Sequence, residues 1–174
     1  MTEEALIQGC RKQDRQAQKL LYERYAPVFF ALCKRYVKTN EDAEDVMVEG
    51  FFKIMTRIDQ YSKGGNFEGW MRRVMINESL MFLRKANTQP YTEEIVNLEQ
   101  PDNYSIVEEL AANDILRLLE KLPDGYRTIF NLYVLEGLKH REIADLLGIS
   151  INTSKSQLVL AKRRMQELMG VPKT

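Results

Sequence analysis

The sequence predicts an all-α protein built from two small helical domains joined by a flexible linker. Three observations carry that expectation. Apolar residues recur at three- and four-residue intervals, with no sustained alternation of apolar and polar positions. A stretch containing two prolines and four carboxylates but no cation, NTQPYTEEIVNLEQPDN over Asn87–Asn103, separates two groups of such segments. The segment KHREIADLLGISINTSKSQLVLAKRRM, Lys139–Met165, reads as two short helices about a sharp turn. A chain of 174 residues with 44% apolar side chains can supply the cores of two such units.

In chain order, Asp14 is placed to cap a helix whose one side carries Ala17, Leu20, Leu21, Tyr25, Val28, Phe29, Leu32 and Tyr36. Pro27 within it predicts a kink or a break, because proline removes one backbone donor and crowds the preceding turn. The next segment, NEDAEDVMVEGFFKIMTRI, carries two stripes. Ala43, Met47, Gly50, Phe51, Ile54 and Ile58 share a packing face. Val48 and Phe52 point the other way beside Asp45 and Glu49, which suggests a surface for docking another protein. Coverage of Phe52 by another part of the chain is the competing explanation.

DQYSKGGN, Asp59–Asn66, is a loop with adjacent glycines, and Asn66 can cap the helix FEGWMRRVMINESLMFLRK. Phe67, Trp70, Met71, Val74, Met81 and Phe82 are expected to form its core-facing band. Along one edge run Trp70, Arg73, Asn77 and Arg84, within a sector of roughly 60° at about 100° per residue. An aromatic ring, an amide and guanidinium groups are the types that hold unstacked bases and phosphates. A solvated helix side with its tryptophan in the core fits the same residues.

After the linker, Ile106, Leu110, Ile115, Leu118, Leu119 and Leu122 predict an amphipathic helix. Pro123 then fits a first-turn position, Ile129, Phe130, Tyr133 and Val134 mark a further helix, and Gly137 ends it. In the last segment, Ala144 allows close helix approach, Gly148 permits positive φ at the turn, and Ser150 caps the second helix. Ile143, Leu146, Leu147, Ile149 and Leu158 are expected to join the two helices. Lys155, Gln157, Lys162, Arg163 and Arg164 are left for the outside. A helix-turn-helix with a cationic second helix suits a DNA major groove, although a helical hairpin with solvated cations has the same pattern.

The 25 basic and 25 acidic residues cancel, so net charge does not announce a nucleic-acid binder. The cations are instead concentrated, 7 against 3 carboxylates from Lys139 to Thr174. Cys10, Cys33 and the single histidine, His140, lack the spacing of a zinc site, and no metal or cofactor is expected. The cysteines read as partly buried thiols of a reducing cytosol. No apolar run could cross a bilayer, and the start MTEEALIQG lacks signal-peptide features, so a cytoplasmic protein without membrane insertion is expected. No nucleophile and base pair, phosphate loop or metal cluster suggests an enzyme.

Three motifs, in order across nearly the whole chain, resemble those of bacterial sigma factors of the sigma-70 family, in the extracytoplasmic-function group. EDAEDVMVEGFFKI resembles the polymerase-binding helix of region two, and FEGWMRRVMINESLMFLRK resembles the helix that melts and reads the minus-ten element. LPDGYRTIFNLYVLEGLKHREIADLLGISINTSKSQLVLAKRRM resembles region four, which reads the minus-thirty-five element. The resemblance implies a region-two domain over 1–88, an acidic linker over 89–106 and a region-four domain over 107–174.

It also implies roles. Asp45, Val48, Glu49 and Phe52 would dock on the core RNA polymerase. Trp70 and Asn77 would stand where the duplex opens, with a flipped base read by Asn77 and the loop Tyr61–Asn66, while Arg73, Arg84 and Lys85 hold phosphates. Lys155 and Ser156 would meet minus-thirty-five bases, with Asn152, Thr153, Gln157 and Lys162 nearby. An anti-sigma factor would be a further partner beside polymerase and promoter DNA. Val48 stands where the family often has Gln, Met81 where it has Asp, Ser154 where it has a buried Val, and Leu160 where an Arg often touches DNA. The implied function is a promoter-specificity subunit. A stand-alone helix-turn-helix regulator and a helical interaction adaptor are the alternatives.

Overall fold

The computed structural model describes residues 1–86, Tyr91 and 112–170. It divides into two compact units, Met1–Ala86 and Asn87–Thr174, and among the described residues there is no strand. Apart from Tyr91, the expected linker lies outside the described residues, as do Ile106 and Leu110.

The first unit opens with a helix that the sequence reading did not anticipate. Helix α1, Glu3–Arg11, is capped by the Thr2 hydroxyl, which accepts from the Ala5 N–H at 3.2 Å. Glu3 and Glu4 lie in its first turn and Arg11 in its last, both matched to the helix dipole. Leu6, Ile7 and Cys10 face the core. Asp14 then caps α2, Arg15–Tyr36, accepting from Gln16 N–H at 2.9 Å.

Helix α2 runs through Pro27 as one continuous helix, so of the kink or break expected there the break does not occur. Proline removes the bond to the Glu23 carbonyl, but Glu23, Arg24, Pro27 and Val28 are all exposed, so water can serve that oxygen. Val28 is therefore outside the core it was assigned to. Ala17, Leu21, Tyr25, Phe29, Leu32, Cys33 and Tyr36 form the buried side.

Thr39 caps α3, Asn40–Arg57, by accepting from Asp42 N–H at 3.1 Å, and Glu41 and Asp42 fill its first turn. Its inner stripe is as predicted: Ala43, Met47, Gly50, Phe51 and Ile54 are buried, and Ile58 follows in a short 3-10 turn, Ile58–Gln60. Gly50 lets α4 approach, since a β-carbon there would overlap the Met75 sulfur.

Helix α4, Phe67–Ala86, is started by Asn66, whose Oδ1 accepts from Gly69 N–H at 2.9 Å. Its core register differs from the expected band. Phe67, Met71, Met75, Ser79 and Leu83 lie inside, with Ile76, Glu78 and Leu80, whereas Met81 is exposed and Trp70, Val74 and Phe82 are half-buried. Two polar residues conceal the true stripe. The Ser79 hydroxyl is satisfied by the Met75 carbonyl at 2.9 Å, and Glu78 makes a short ion pair with Lys53 of α3.

Among the described residues, the first helix of the second unit is α5, Ala112–Lys121, whose Ile115, Leu118 and Leu119 join Leu122, Phe130, Ala161 and Met165 in one core. Pro123 is the N-cap of α6, Asp124–Phe130, which continues as a π-helical turn over Asn131–Leu135. Gly137 leaves that turn with φ +73°. The fully buried Arg127 donates to the Leu122 carbonyl at 3.0 Å and to Asp124 Oδ1 at 2.6 Å, tying the end of α5 to the start of α6. Helix α7, His140–Leu147, and helix α8, Ile151–Leu168, complete the unit.

Candidate protein and nucleic-acid interfaces

On α3, the second stripe is solvent-facing. Val48 is 55% and Phe52 63% exposed, and Asp45 and Glu49 beside them are exposed as well. An uncovered aromatic and a valine between carboxylates form a patch whose burial would release water from apolar surface while the charges orient the partner.

On α4, Arg73, Asn77 and Arg84 are exposed along the predicted edge, and Lys85 is exposed next to Arg84. Trp70 is half-buried: its ring stacks on Phe67 at 6.0 Å and meets Tyr61 at 5.9 Å. Tyr61 is itself buried and edge-on to Phe67 at 5.0 Å, and its hydroxyl donates to the Gly65 carbonyl. The edge and the loop 61–66 therefore share one aromatic base. The outward groups then offer a stacking ring, an amide and cations in one place.

In the second unit, Gly148 takes φ +67° and donates to the Ala144 carbonyl, closing α7. Ser150 Oγ accepts from Thr153 N–H at 3.0 Å to open α8, and Glu142 accepts from Lys139 N–H at 3.2 Å to open α7. The predicted helix-turn-helix is present with its expected turn and cap. Asn152 and Lys155 are exposed; Thr153, Ser156 and Lys162 are half-buried. The Ser156 hydroxyl donates to the Asn152 carbonyl at 2.9 Å, leaving its oxygen lone pairs for a partner.

Gln157 departs from expectation. It is 0% exposed, on the inner side of α8 with Ser154, Leu158 and Ala161. Three residues after Ser154, it follows the helical register into the packing face, so it cannot be an outward base contact without moving α8. Sequence reading passed over a second feature as well. Ser154 is fully buried and its Oγ lies 2.8 Å from His140 Nδ1, while the His140 ring stacks on Tyr133 at 4.5 Å. Burial, with the Lys155 and Lys162 charges, lowers the His140 pKa from its usual 6.5. A serine amid apolar residues was the available signal, since a buried hydroxyl needs a partner.

Both thiols are free and buried. Burial raises the Cys33 pKa to about 11, and burial with the nearby Asp14 charge raises that of Cys10. Among the described residues, no group of His, Cys, Asp or Glu is arranged to hold a metal, and no helix is long and apolar enough to cross a membrane.

A helical unit bearing an apolar, acid-flanked patch and a cationic aromatic edge, followed by a helix-turn-helix unit, defines a class of two-domain DNA-reading proteins. Comparison with known proteins specifies the family. The description "Sigma-70 region 2" matches residues 21–89, and "Sigma-70, region 4" matches residues 112–165. The extracytoplasmic-function RNA polymerase sigma-E factor of Haemophilus influenzae is 26% identical over 180 residues, covering 95% of this chain and 94% of that protein. Its counterpart in Escherichia coli K12 is 27% identical over 176 residues, covering 93% and 91%. The fold is shared with the sigma factor RpoE bound to the anti-sigma factor NepR from Bartonella quintana, with TM-score 0.57, 23% identity and coverage of 89% and 98%. It is also shared with CnrH in complex with the cytosolic domain of CnrY, with TM-score 0.53, 17% identity and coverage of 95% and 96%. The chain belongs to the sigma-70 family, in its extracytoplasmic-function group.

Proposed function

We propose that this chain directs core RNA polymerase to particular promoters and assists their opening, with a distinct surface for each task. The polymerase is met by Asp45, Val48, Glu49 and Phe52. The minus-ten element is met by Trp70, Arg73, Asn77, Arg84 and Lys85 with the loop 61–66, and the minus-thirty-five element by Asn152, Thr153, Lys155, Ser156 and Lys162. Gln157 acts instead as packing beneath that second surface. The domains assigned to these tasks are 1–88 and 107–174, tethered by 89–106.

The observation that carries this reading is the back-to-back arrangement of α3 and α4. One helix leaves an apolar, acidic face uncovered, and the helix packed against it presents an aromatic, cationic edge. A protein-binding face and a single-strand-binding edge on one small domain suit a factor that must hold a catalyst and melted DNA together. A stand-alone regulator has no use for the first face. The Bartonella relative is seen with an anti-sigma factor, and an inhibitor of that kind is assigned here as a further partner.

Run-off transcription with purified core polymerase tests the reading. Initiation that depends on this chain is expected, and its absence with a folded, uninhibited chain would overturn the function.

A further inference from the structure

The loop 61–66 is fastened to an element outside the α3–α4 pair. Arg11, the last residue of α1, donates from Nη2 to the Tyr61 carbonyl oxygen at 2.7 Å, and its Nε lies 3.8 Å from the Asp59 carboxylate. The arginine is largely buried, whereas the other bridge from α1 to the loop, Glu4 to Lys63 at 3.5 Å, joins two well-exposed side chains. Exposed pairs of that kind contribute little. Residues 62–66 are themselves exposed, and inside the loop the Tyr61 hydroxyl bond to Gly65 and a 3.4 Å Gly65 N–H bond to the Ser62 carbonyl tie it back to Tyr61 rather than to the helices. An open cavity of about 240 Å³ between α1 and the loop leaves it room to shift.

Tyr61 passes the restraint on, through its hydroxyl to Gly65 and through its ring to Phe67 and Trp70. We propose that Arg11 is a positioning residue for minus-ten recognition: it anchors Tyr61, and through it the loop and the Trp70 ring, in the pose that meets an extruded base. The proposal rests on the reading of the α4 edge given above. Preorganisation of this sort contributes by sparing the loop an ordering cost when the base arrives.

The test uses polymerase holoenzyme assembled with Arg11→Met, Arg11→Lys or Asn77→Ala. Its substrate is a set of pre-melted fragments of a promoter this holoenzyme transcribes, differing at one minus-ten base. The readout is the affinity ratio between the preferred and least preferred base, alongside core-binding affinity. Arg11→Met is expected to lower the ratio roughly fivefold, and Arg11→Lys, which keeps one charged donor, about twofold, both with core binding unchanged. A merely structural role would lower thermal stability and leave the ratio alone. Unchanged ratios in both Arg11 variants while Asn77→Ala lowers it would overturn the proposal. Unchanged ratios in all three would instead overturn the reading of the α4 edge on which it rests. Should Arg11→Met fail to fold, Arg11→Lys decides alone, a ratio equal to the parent's being the overturning result.

Discussion

Phe51 and Phe52 are adjacent in the chain, yet one faces the core from α3 and the other faces solvent. Phe51 is 3% exposed, its ring 4.9 Å from Tyr22 and 5.8 Å from Phe29; Phe52 is 63% exposed. One step of about 100° along a helix separates a core residue from the exposed one proposed to dock polymerase. Phe51→Ala is expected to destabilise the first domain by about 3–5 kcal/mol, because it removes a buried ring and leaves a cavity. Phe52→Ala should leave stability within about 0.5 kcal/mol and weaken core polymerase binding roughly ten- to thirtyfold. Urea denaturation and a core-binding titration on both variants check the pair. Equal loss of stability in the two would make Phe52 a packing residue.

Asn77 and Glu78 repeat that division on α4. Asn77 faces solvent, whereas Glu78 is buried against Lys53 of α3. Asn77→Ala is expected to reduce promoter opening about tenfold, in line with losing a specific base contact, while core association is retained. Glu78→Ala strands the Lys53 charge in a largely covered site. Discounted for the lysine's partial exposure, its expected cost is about 1–3 kcal/mol of stability. Permanganate footprints on the first variant and thermal melts on both give the comparison; parallel losses of opening and core binding in Asn77→Ala would refute its assignment.

Lys155 and Gln157 form the corresponding contrast in the second domain, one exposed and one buried on α8. Lys155→Ala is expected to weaken binding to minus-thirty-five duplex and, where the ammonium meets a phosphate, to reduce the slope of log affinity against log salt by about one. Gln157→Ala should lower the melting temperature of the domain instead and leave that slope unchanged. Affinity measured at several salt concentrations for the two variants decides it.

Both thiols should be inert in the folded chain. The fraction of Cys33 in the reactive thiolate form is negligible at neutral pH with a pKa near 11, and Cys10 is shifted the same way. Reaction with a chromogenic disulfide reagent is expected only on unfolding in denaturant. Fast labelling of either thiol in the native protein would contradict the packing of α1 and α2.

What could be read from the sequence depended on whether local chemistry and core register agreed. The helix-turn-helix was legible because Gly148, Ser150 and the apolar spacing all specify one backbone path. The two stripes of α3 were legible because every inner position is small or apolar. On α4, Glu78 and Ser79 occupy core positions, so hydrophobic spacing pointed to Met81, which is exposed. Gln157 and Arg127 escaped for the same reason: a buried polar residue is recognised only through the partner or neighbour that tertiary structure brings to it. Helix α1 is short, with only its cap, its end charges and three inward residues to mark it, and so the anchor that Arg11 provides to the loop was invisible too.

The placement of His140, partly buried and facing Lys155 and Lys162, is expected to make the second domain sensitive to acid. Burial first, then Lys155 and Lys162, hold the imidazole pKa below the 6.5 of the unfolded chain. Between those two pKa values the unfolded state binds more protons than the folded state, so stability rises with pH there. The contribution is fully present above about pH 6.5 and is lost as pH falls toward the folded-state pKa. The melting temperature of the second domain is therefore expected to drop between pH 7 and pH 5.5, and His140→Gln should flatten that dependence by removing the titrating group. The glutamine amide can still donate toward Ser154 Oγ, which limits any general loss of packing. Added salt should also shallow the parent's profile, since it screens the two lysines. Thermal melts of both chains across that range measure the difference in slope. Identical pH profiles for parent and variant would show that the histidine titrates alike in the folded and unfolded chain, contrary to its position against Tyr133 and Ser154.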